Sequence, residues 1–298
     1  MSSAPTPASQ PLAGIGYLLA AVIVFSIMDA LIKWLSADYP TLQVIFFRGA
    51  CAFIPLSLFI ARQGGLAALR TNRPVGHILR CLVGVSSMVL GFWALAVLPL
   101  ADVIAIGFAG PIFLTALSVP LLGETVGWRR WCAVFAGFLG VIVMVRPGSS
   151  LFQVEALIPV GGAVGYAFAM VLVRRLTATE TIAAIVFYFT LTTTVVSGAI
   201  LPFVWVTPTW GDLGLLVSVG LCGGVAQLLM TRAFKIAPGS LIAPFEYSAV
   251  IWAVTFGWVI WHELPDAAIW TGSAIVIASG LYILHREAVI ARCRRGRT

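Results

Sequence analysis

Charged side chains are scarce in this sequence: only 10% of its 298 residues are Asp, Glu, Lys or Arg. A soluble globular domain carries about 25%, and eleven acids with eighteen bases cannot cover a soluble surface of this size. Disorder is excluded as well. Hydrophobic side chains make up 60% of the chain and the mean hydropathy is +1.04, whereas disordered segments need low hydrophobicity. Cysteine is sparse and odd in number, at positions 51, 81, 132, 222 and 293, without CxxC spacing. Neither a disulfide framework nor a zinc site follows from that pattern, and four of the five lie in apolar runs where a thiol packs as a small hydrophobe.

Histidine is limited to His77, His262 and His285. HExxH, GxxxxGK[ST] and GxGxxG are all missing, and Gly84-Val-Ser86-Ser87 lacks the last glycine of a nucleophile elbow. Neither Lys33 nor Lys235 follows a phosphate-binding glycine loop. These absences argue against an enzyme, a metal centre, a bound cofactor and ATP hydrolysis by this chain. Any energy source is then a gradient. Residues 1–12 lack the basic region of a signal peptide and are expected to form a short disordered tail.

What is abundant is apolar sequence. A spanning helix needs about 20 mostly apolar residues, and punctuation by Gly, Pro and charge gives ten such runs. They lie near 13–35, 42–62, 75–98, 101–122, 127–146, 152–175, 182–205, 212–234, 240–262 and 267–286. The fold class is therefore an all-α polytopic membrane protein of ten transmembrane helices. With the N-terminus inside, fifteen Lys and Arg fall on the cytoplasmic side and two, Lys33 and Arg146, on the other; Arg48 stays within the membrane. The positive-inside rule thus places both termini in the cytoplasm. The bases are spread over five segments, so the pI of about 9.5 does not mark a nucleic-acid surface.

The chain resembles itself. Ala94-Leu-Ala-Val-Leu-Pro99 faces Ala233-Phe-Lys-Ile-Ala-Pro238 at an offset of 139, and Gly123-Glu124 faces His262-Glu263 at the same offset. Gly140 to Arg146 aligns with Gly280 to Arg286 one residue further on, and Leu31 to Leu35 faces Leu172 to Leu176. Two halves of five helices, 13–146 and 147–286, must insert with opposite topology because five is odd, leaving a basic tail at 287–298. Inverted repeats are a transporter architecture with the binding site near the midplane.

The ten-helix count, the A-L-x-x-x-P elements and the Glu124 and Glu263 that close the fourth and ninth helices resemble the drug/metabolite transporter superfamily, in its EamA-like branch. Ala243-Pro-Phe-Glu-Tyr-Ser-Ala-Val-Ile-Trp252, followed by Trp261-His-Glu-Leu-Pro265, resembles a subgroup of bacterial carriers for S-adenosylmethionine, riboflavin and related metabolites. The resemblance implies a bacterial inner-membrane protein. It also implies a cavity lined by helices one, three, four, six, eight and nine.

Polar residues at membrane depth are the candidate site, since a charge there costs about 2.5–3.5 kcal/mol on insertion scales. Asp29 and Arg48 have matching depths and are expected to pair, either as a packing pair or as an outer gate or substrate clamp. Glu246, followed by Tyr247 and preceded by Pro244, is expected either to pair with Arg80 or to face the cavity as a cation- or proton-binding carboxylate. Gln227 and Ser87 are candidate hydrogen-bonding groups for a substrate. Trp93, Phe108 and Tyr166 join Tyr247 as candidate stacking surfaces. Glu124 and Glu263 are read as junction residues favouring the following helix N-terminus. Trp205, Trp210, Trp261 and Trp270 belong to an interfacial belt, and Gly161/Gly165 and Gly220/Gly224 allow close helix approach.

Secondary transport of a small polar or amphipathic metabolite by alternating access is the function expected, the metabolite being amino-acid-, nucleoside- or vitamin-like. A membrane-embedded scaffold or receptor subunit without flux is the alternative. The expected partners are a small-molecule substrate and membrane lipid, without nucleic acid, for a monomer or homodimer.

Overall fold

The computed structural model describes residues 11–62, 65–123, 127–147, 154–177, 179–236 and 243–295. Every regular element among them is helical. Eleven α-helices run in chain order: α1 Pro11–Leu35, α2 Thr41–Arg62, α3 Pro74–Val97, α4 Leu100–Gly107, α5 Gly110–Leu122, α6 Trp128–Val145, α7 Leu157–Leu176, α8 Ile182–Val204, α9 Trp210–Ile236, α10 Ala249–Trp261 and α11 Ala267–Arg295. Short 3-10 turns cover Gly65–Leu69, Val154–Ala156 and Ala243–Ser248. Seven segments are long and apolar enough to cross a membrane, with α4 and α5 counted as one, and three shorter apolar helices accompany them. All ten sit where hydropathy places a span. The last helix continues through Arg295, past the expected boundary at 286.

Two spans expected to be continuous are broken. The fourth is interrupted at Phe108–Ala109 between α4 and α5. Pro111 lies in the first turn of α5 and has no amide to give to the carbonyl of Gly107, four residues back. The ninth begins as the 3-10 turn Ala243–Ser248 and becomes α-helical only at Ala249. The two half-helices α5 and α10 each have 13 residues and start 139 residues apart. Each ends in a left-handed residue, Gly123 at φ 67° and His262 at φ 57°, which turns the chain and frees its amide to cap the helix.

Pairing of the helices follows one scheme. The neighbouring pairs include α1 with α9, α3 with α7, α2 with α8, α6 with α11 and α4 with α10. Shifting every span by five carries this set onto itself: α1–α9 becomes α7–α3, and the other pairs map onto themselves. Glycine permits the closest approaches. A Cβ at Gly220 or Gly224 of α9 would collide with Cys51 or Pro55 of α2, and one at Gly165 would come 3.0 Å from Ser87 on α3. The core has two main parts. One joins α1, α2, α3, α4, α9 and α10 through Ile32, Val44, Leu95, Leu100, Leu216 and Ala253. The other joins α4, α5, α6 and α11 through Ile106, Ile112, Val134, Met144 and Val276.

Candidate functional site

The two breaks meet. Phe108, at the break of the fourth span, and Tyr247, in the 3-10 turn of the ninth, lie with ring centroids 4.8 Å apart. They are also 139 residues apart, so equivalent positions of the two halves touch each other. Tyr247 can lie there because α11 has no side chain at Gly280, where a Cβ would run into the phenolic oxygen. That buried hydroxyl has no hydrogen-bond partner among the described residues.

Glu246 precedes Tyr247 in the same turn. It is half-buried, and no described residue gives it a hydrogen bond or an ion pair within 4.0 Å. Tyr166 of α7 lies within electrostatic reach of both Glu246 and Arg80. Its ring lies beside Gly110, the first residue of α5. Tyr166 is 49% exposed. Arg80 does not form the expected ion pair with Glu246. Its guanidinium stacks on Phe189 of α8 at 3.9 Å, and its Nε and Nη1 are buried without an acceptor among the described residues.

Asp29 and Arg48 face each other electrostatically but do not close to an ion pair within 4.0 Å. Arg48 lies near the ring of Phe92, at 5.9 Å, and its Nε is buried without a partner among the described residues. Gln227 follows Gly223 by one turn on α9, and Gly223 packs beside Met28 and Arg48. The Ser87 hydroxyl is already used, donating to the carbonyl of Gly162 on α7 at 2.8 Å. Trp93 lies away from this centre. It is 48% exposed on the stripe of α3 that also exposes Val75, Leu79, Leu82, Ser86 and Val97, a lipid-facing position. The structure thus brings Phe108, Tyr166, Arg80, Glu246 and Tyr247 together and leaves Trp93 outside.

A second polar cluster escaped sequence reasoning. At the end of the bundle where α1 stops, Lys33 donates to Glu263 at 2.6 Å and to the carbonyl of Leu98 at 2.9 Å. Its ammonium also lies 5.1 Å from the ring centre of Trp261. Glu263 is therefore an ion-pair partner between spans rather than only a junction residue, and Trp261 packs on the pair as well as on Trp34. Arg146 pairs with Asp266, which also accepts the amides of Ala268 and Ile269 and so caps α11. Burial opposes the Asp266 charge, but those amides and Arg146 outweigh it and hold the carboxyl below its usual range. Asp102, whose buried Oδ1 has no partner among the described residues, lies within reach of all four of these charges. The available signal was their common position: each lies at the same end of a span. At the opposite, arginine-rich end, His77 and Glu180 are buried together at 3.4 Å. Burial again disfavours the acid, yet the Asn72 amide, the Thr71 hydroxyl and His77 hold Glu180 below its ordinary value. Glu124 and Pro238 fall outside the described residues, as do the side chains of Pro244 and Cys293.

Comparison with known proteins agrees with this architecture. The model of the EamA-like transporter family matches the chain twice, over residues 12–146 and 154–285. The S-adenosylmethionine uptake transporter of Rickettsia prowazekii (strain Madrid E) is 29% identical over 92% of this chain and 93% of its own. The pseudopaline exporter of Pseudomonas aeruginosa (strain UCBPP-PA14) is 32% identical over 94% of this chain and 97% of its own. A protein crystal structure with 20% identity, covering 91% of this chain and 96% of that one, superposes with a TM-score of 0.64 and shows the same fold. Apolar spans, bacterial relatives and family match together place the chain in the bacterial inner membrane as a multi-pass protein. Matched over nearly its whole length, the chain belongs to the EamA-like transporter family.

Proposed function

We propose that this chain is a secondary carrier that moves a small polar or amphipathic organic metabolite by alternating access. Glu246 carries the reading: a carboxylate with no partner among the described residues, in a broken span, next to a tyrosine stacked on the break of another span. Broken helices are tolerated at membrane depth where they are buried in protein or line a water-filled cavity. Their freed backbone groups and unpaired side chains are what transporter sites use to hold solutes and ions. Glu246 is then the group that meets a cationic part of the solute or a coupling proton. Tyr247, Phe108 and Tyr166 offer it aromatic faces.

The two halves, 13–146 and 147–286, act as inverted repeats, with both termini in the cytoplasm and the protein working as a monomer or homodimer. The helix pairing, which maps onto itself under a shift of five spans, supports the repeat. So do the matched half-helices α5 and α10. The distribution of Lys and Arg supports the orientation. Direction of transport does not follow from kinship, since one relative is named for uptake and another for export. The solute's gradient and its affinity on each side set that direction.

A thermal-shift screen of purified protein against metabolites identifies a ligand, because binding to the folded state raises apparent stability. Counterflow of that ligand in liposomes then tests transport. Glu246→Gln keeps shape and removes charge; lost binding indicates recognition of a cation, and retained exchange with lost pH-driven accumulation indicates proton coupling. A Gln variant that binds and accumulates like the parent refutes the role of Glu246. Binding without counterflow refutes transport and favours a receptor or scaffold.

A further inference from the structure

A cleft of about 420 Å3 lies at the arginine-rich end of the bundle, where the start of α3 meets the end of α7. Asn72, Arg73, Val75 and Leu79 form one wall, and Leu172 and Arg175 belong to the other. The two helices close on each other at Gly76, where a Cβ would come 2.9 Å from the side chain of Leu176. The apolar spans beside the cleft, Pro74–Val97 and Val154–Val173, mark the membrane boundary. Arg73 directly precedes the first and Arg175 follows the second, so both bases stand at headgroup depth.

The rim of the cleft carries positive charge that the fold leaves unanswered. The guanidinium of Arg73 has no partner among the described residues; only its backbone amide is engaged, with the Thr71 hydroxyl at 3.0 Å. Arg175 gives one N–H to the carbonyl of Leu121 at the end of α5, and its fork keeps further donors. The first turn of α3 starts without a side-chain cap, which adds the partial positive charge of its amides to the same rim. Glu180, the nearby acid, is occupied elsewhere: it accepts the Asn72 amide at 3.1 Å and is buried 3.4 Å from His77. No acidic side chain is among the described residues that line the cleft.

Below the rim the wall is apolar and continues into the membrane. Val75 and Leu79 begin the exposed stripe of α3 that runs on through Leu82, Ser86, Trp93 and Val97. A free phosphate gains nothing from such a wall, whereas an acyl chain does. Basic pockets between spans hold anionic headgroups at the membrane surface, and long arginine stems reach that level from apolar ground.

We infer that the cleft between α3 and α7 is a site for an anionic phospholipid. Arg73 and Arg175 hold its phosphate, and its acyl chain follows Val75, Leu79 and Leu82. The bound lipid bridges the start of one span and the end of another. It takes no part in solute recognition, so the site stands independently of the carrier reading.

The test is thermal unfolding of the purified full-length protein in detergent, titrated with dioleoylphosphatidylglycerol. Dioleoylphosphatidylcholine supplies the same chains on a neutral headgroup, and glycerol 3-phosphate supplies a phosphate without chains. Each arginine near an anionic headgroup is worth about fivefold, so phosphatidylglycerol should bind about 10- to 30-fold more tightly than phosphatidylcholine. Arg73→Gln and Arg175→Gln should each lower that preference about fivefold. Arg62→Gln, which removes an exposed base at the end of α2 outside the cleft, should leave it unchanged. Arg73 has no side-chain contact to lose, so its variant carries the test even where Arg175→Gln, which gives up the Leu121 carbonyl, fails to fold. Equal binding of the two lipids overturns the site. So does an equal loss of preference in the Arg62 variant, which would reveal a diffusely positive end instead of a cleft. Stabilisation by glycerol 3-phosphate that matches phosphatidylglycerol at the same concentration overturns the lipid as occupant. Counterflow is not the readout, so failure here leaves the carrier reading standing.

Discussion

Replacing Lys33 by Met retains the length of the side chain and deletes its ammonium, so it tests whether the cluster at that end works as a latch. Lys33 is on α1, Leu98 just after α3 and Glu263 just after α10, so one ammonium ties three spans together. Opening that end for solute exchange must break both contacts. A hydrogen bond involving a charged group contributes about 1.5–3 kcal/mol net when sequestered. The Lys33 side chain is only 10% exposed and loses most of its value on removal. Glu263 is 33% exposed, so water recovers much of its share and the pair is discounted accordingly. The loss to the closed form is then about 2 kcal/mol, or about 30-fold in the closed-to-open ratio.

Accessibility of a buried reporter reads that ratio. Ala101 on α4 is 5% exposed and belongs to the core beneath the latch. In a background without the five native cysteines, Ala101→Cys should react with an impermeant maleimide slowly in the parent and up to about 30-fold faster with Lys33→Met. Adding Glu263→Gln to Lys33→Met should add little, because the two residues share one contact. A rate within about threefold of the parent, well below the factor worked out above, in a variant that folds normally, would show that the ion pair does not hold this end closed.

Other outcomes follow from single residues. His262→Gly should raise stability by about 0.5–1 kcal/mol in thermal unfolding, since His262 holds φ 57° where its counterpart is Gly123; a loss of stability would contradict that account. Gly280→Ala should cost about 1–3 kcal/mol by driving a methyl into Tyr247, and Tyr247→Phe should restore most of it. Glu180 sits below its unfolded value of 4.5, so its contribution is present above that pH and is lost as pH falls through the folded pKa. Acid melting curves of Glu180→Gln should therefore be flatter below about pH 4.5 than those of the parent. Cys293, as the only cysteine, should resist an impermeant maleimide in intact spheroplasts if the basic tail is cytoplasmic.

The ten apolar segments were legible because lipid imposes length and hydropathy on a span. The breaks were not, since no charged or hydrogen-bonding side chain interrupts the sequence between Ile106 and Ile112 and a single Pro111 can stand in a continuous or an interrupted helix. Trp93 shows a related limit. In a soluble protein, the stripe from Val75 to Val97 would mark a buried face. In a membrane, lipid is as apolar as the core, so periodicity identifies a face without saying where it points. The Lys33–Glu263 pair joins residues 230 positions apart, and nothing local to either reveals the other. Glu246 was visible through its cost at membrane depth; that Arg80 would turn to Phe189 instead of meeting it depends on the packing of α3 against α8.

The internal repeat separates scaffold from chemistry. Features present in both halves are the frame of the centre: the 13-residue half-helices, their left-handed ends at Gly123 and His262, and an aromatic ring at each break, Phe108 and Tyr247, the two in contact. The charges at membrane depth have uncharged counterparts. At the offset of 139, Glu246 corresponds to Gly107 and Arg80 to Val219; at the offset of 141 that aligns Leu35 with Leu176, Asp29 corresponds to Met170. Duplicating them would set two acids or two bases near one axis, and like charges in a low-dielectric centre repel strongly. A solute with distinct ends also needs a site with distinct ends. Under the carrier reading proposed above, the halves would share backbone geometry while the groups that meet an asymmetric solute would break the symmetry, as Glu246 and Arg80, unmatched by a charge at the equivalent positions of the other half, do in this sequence.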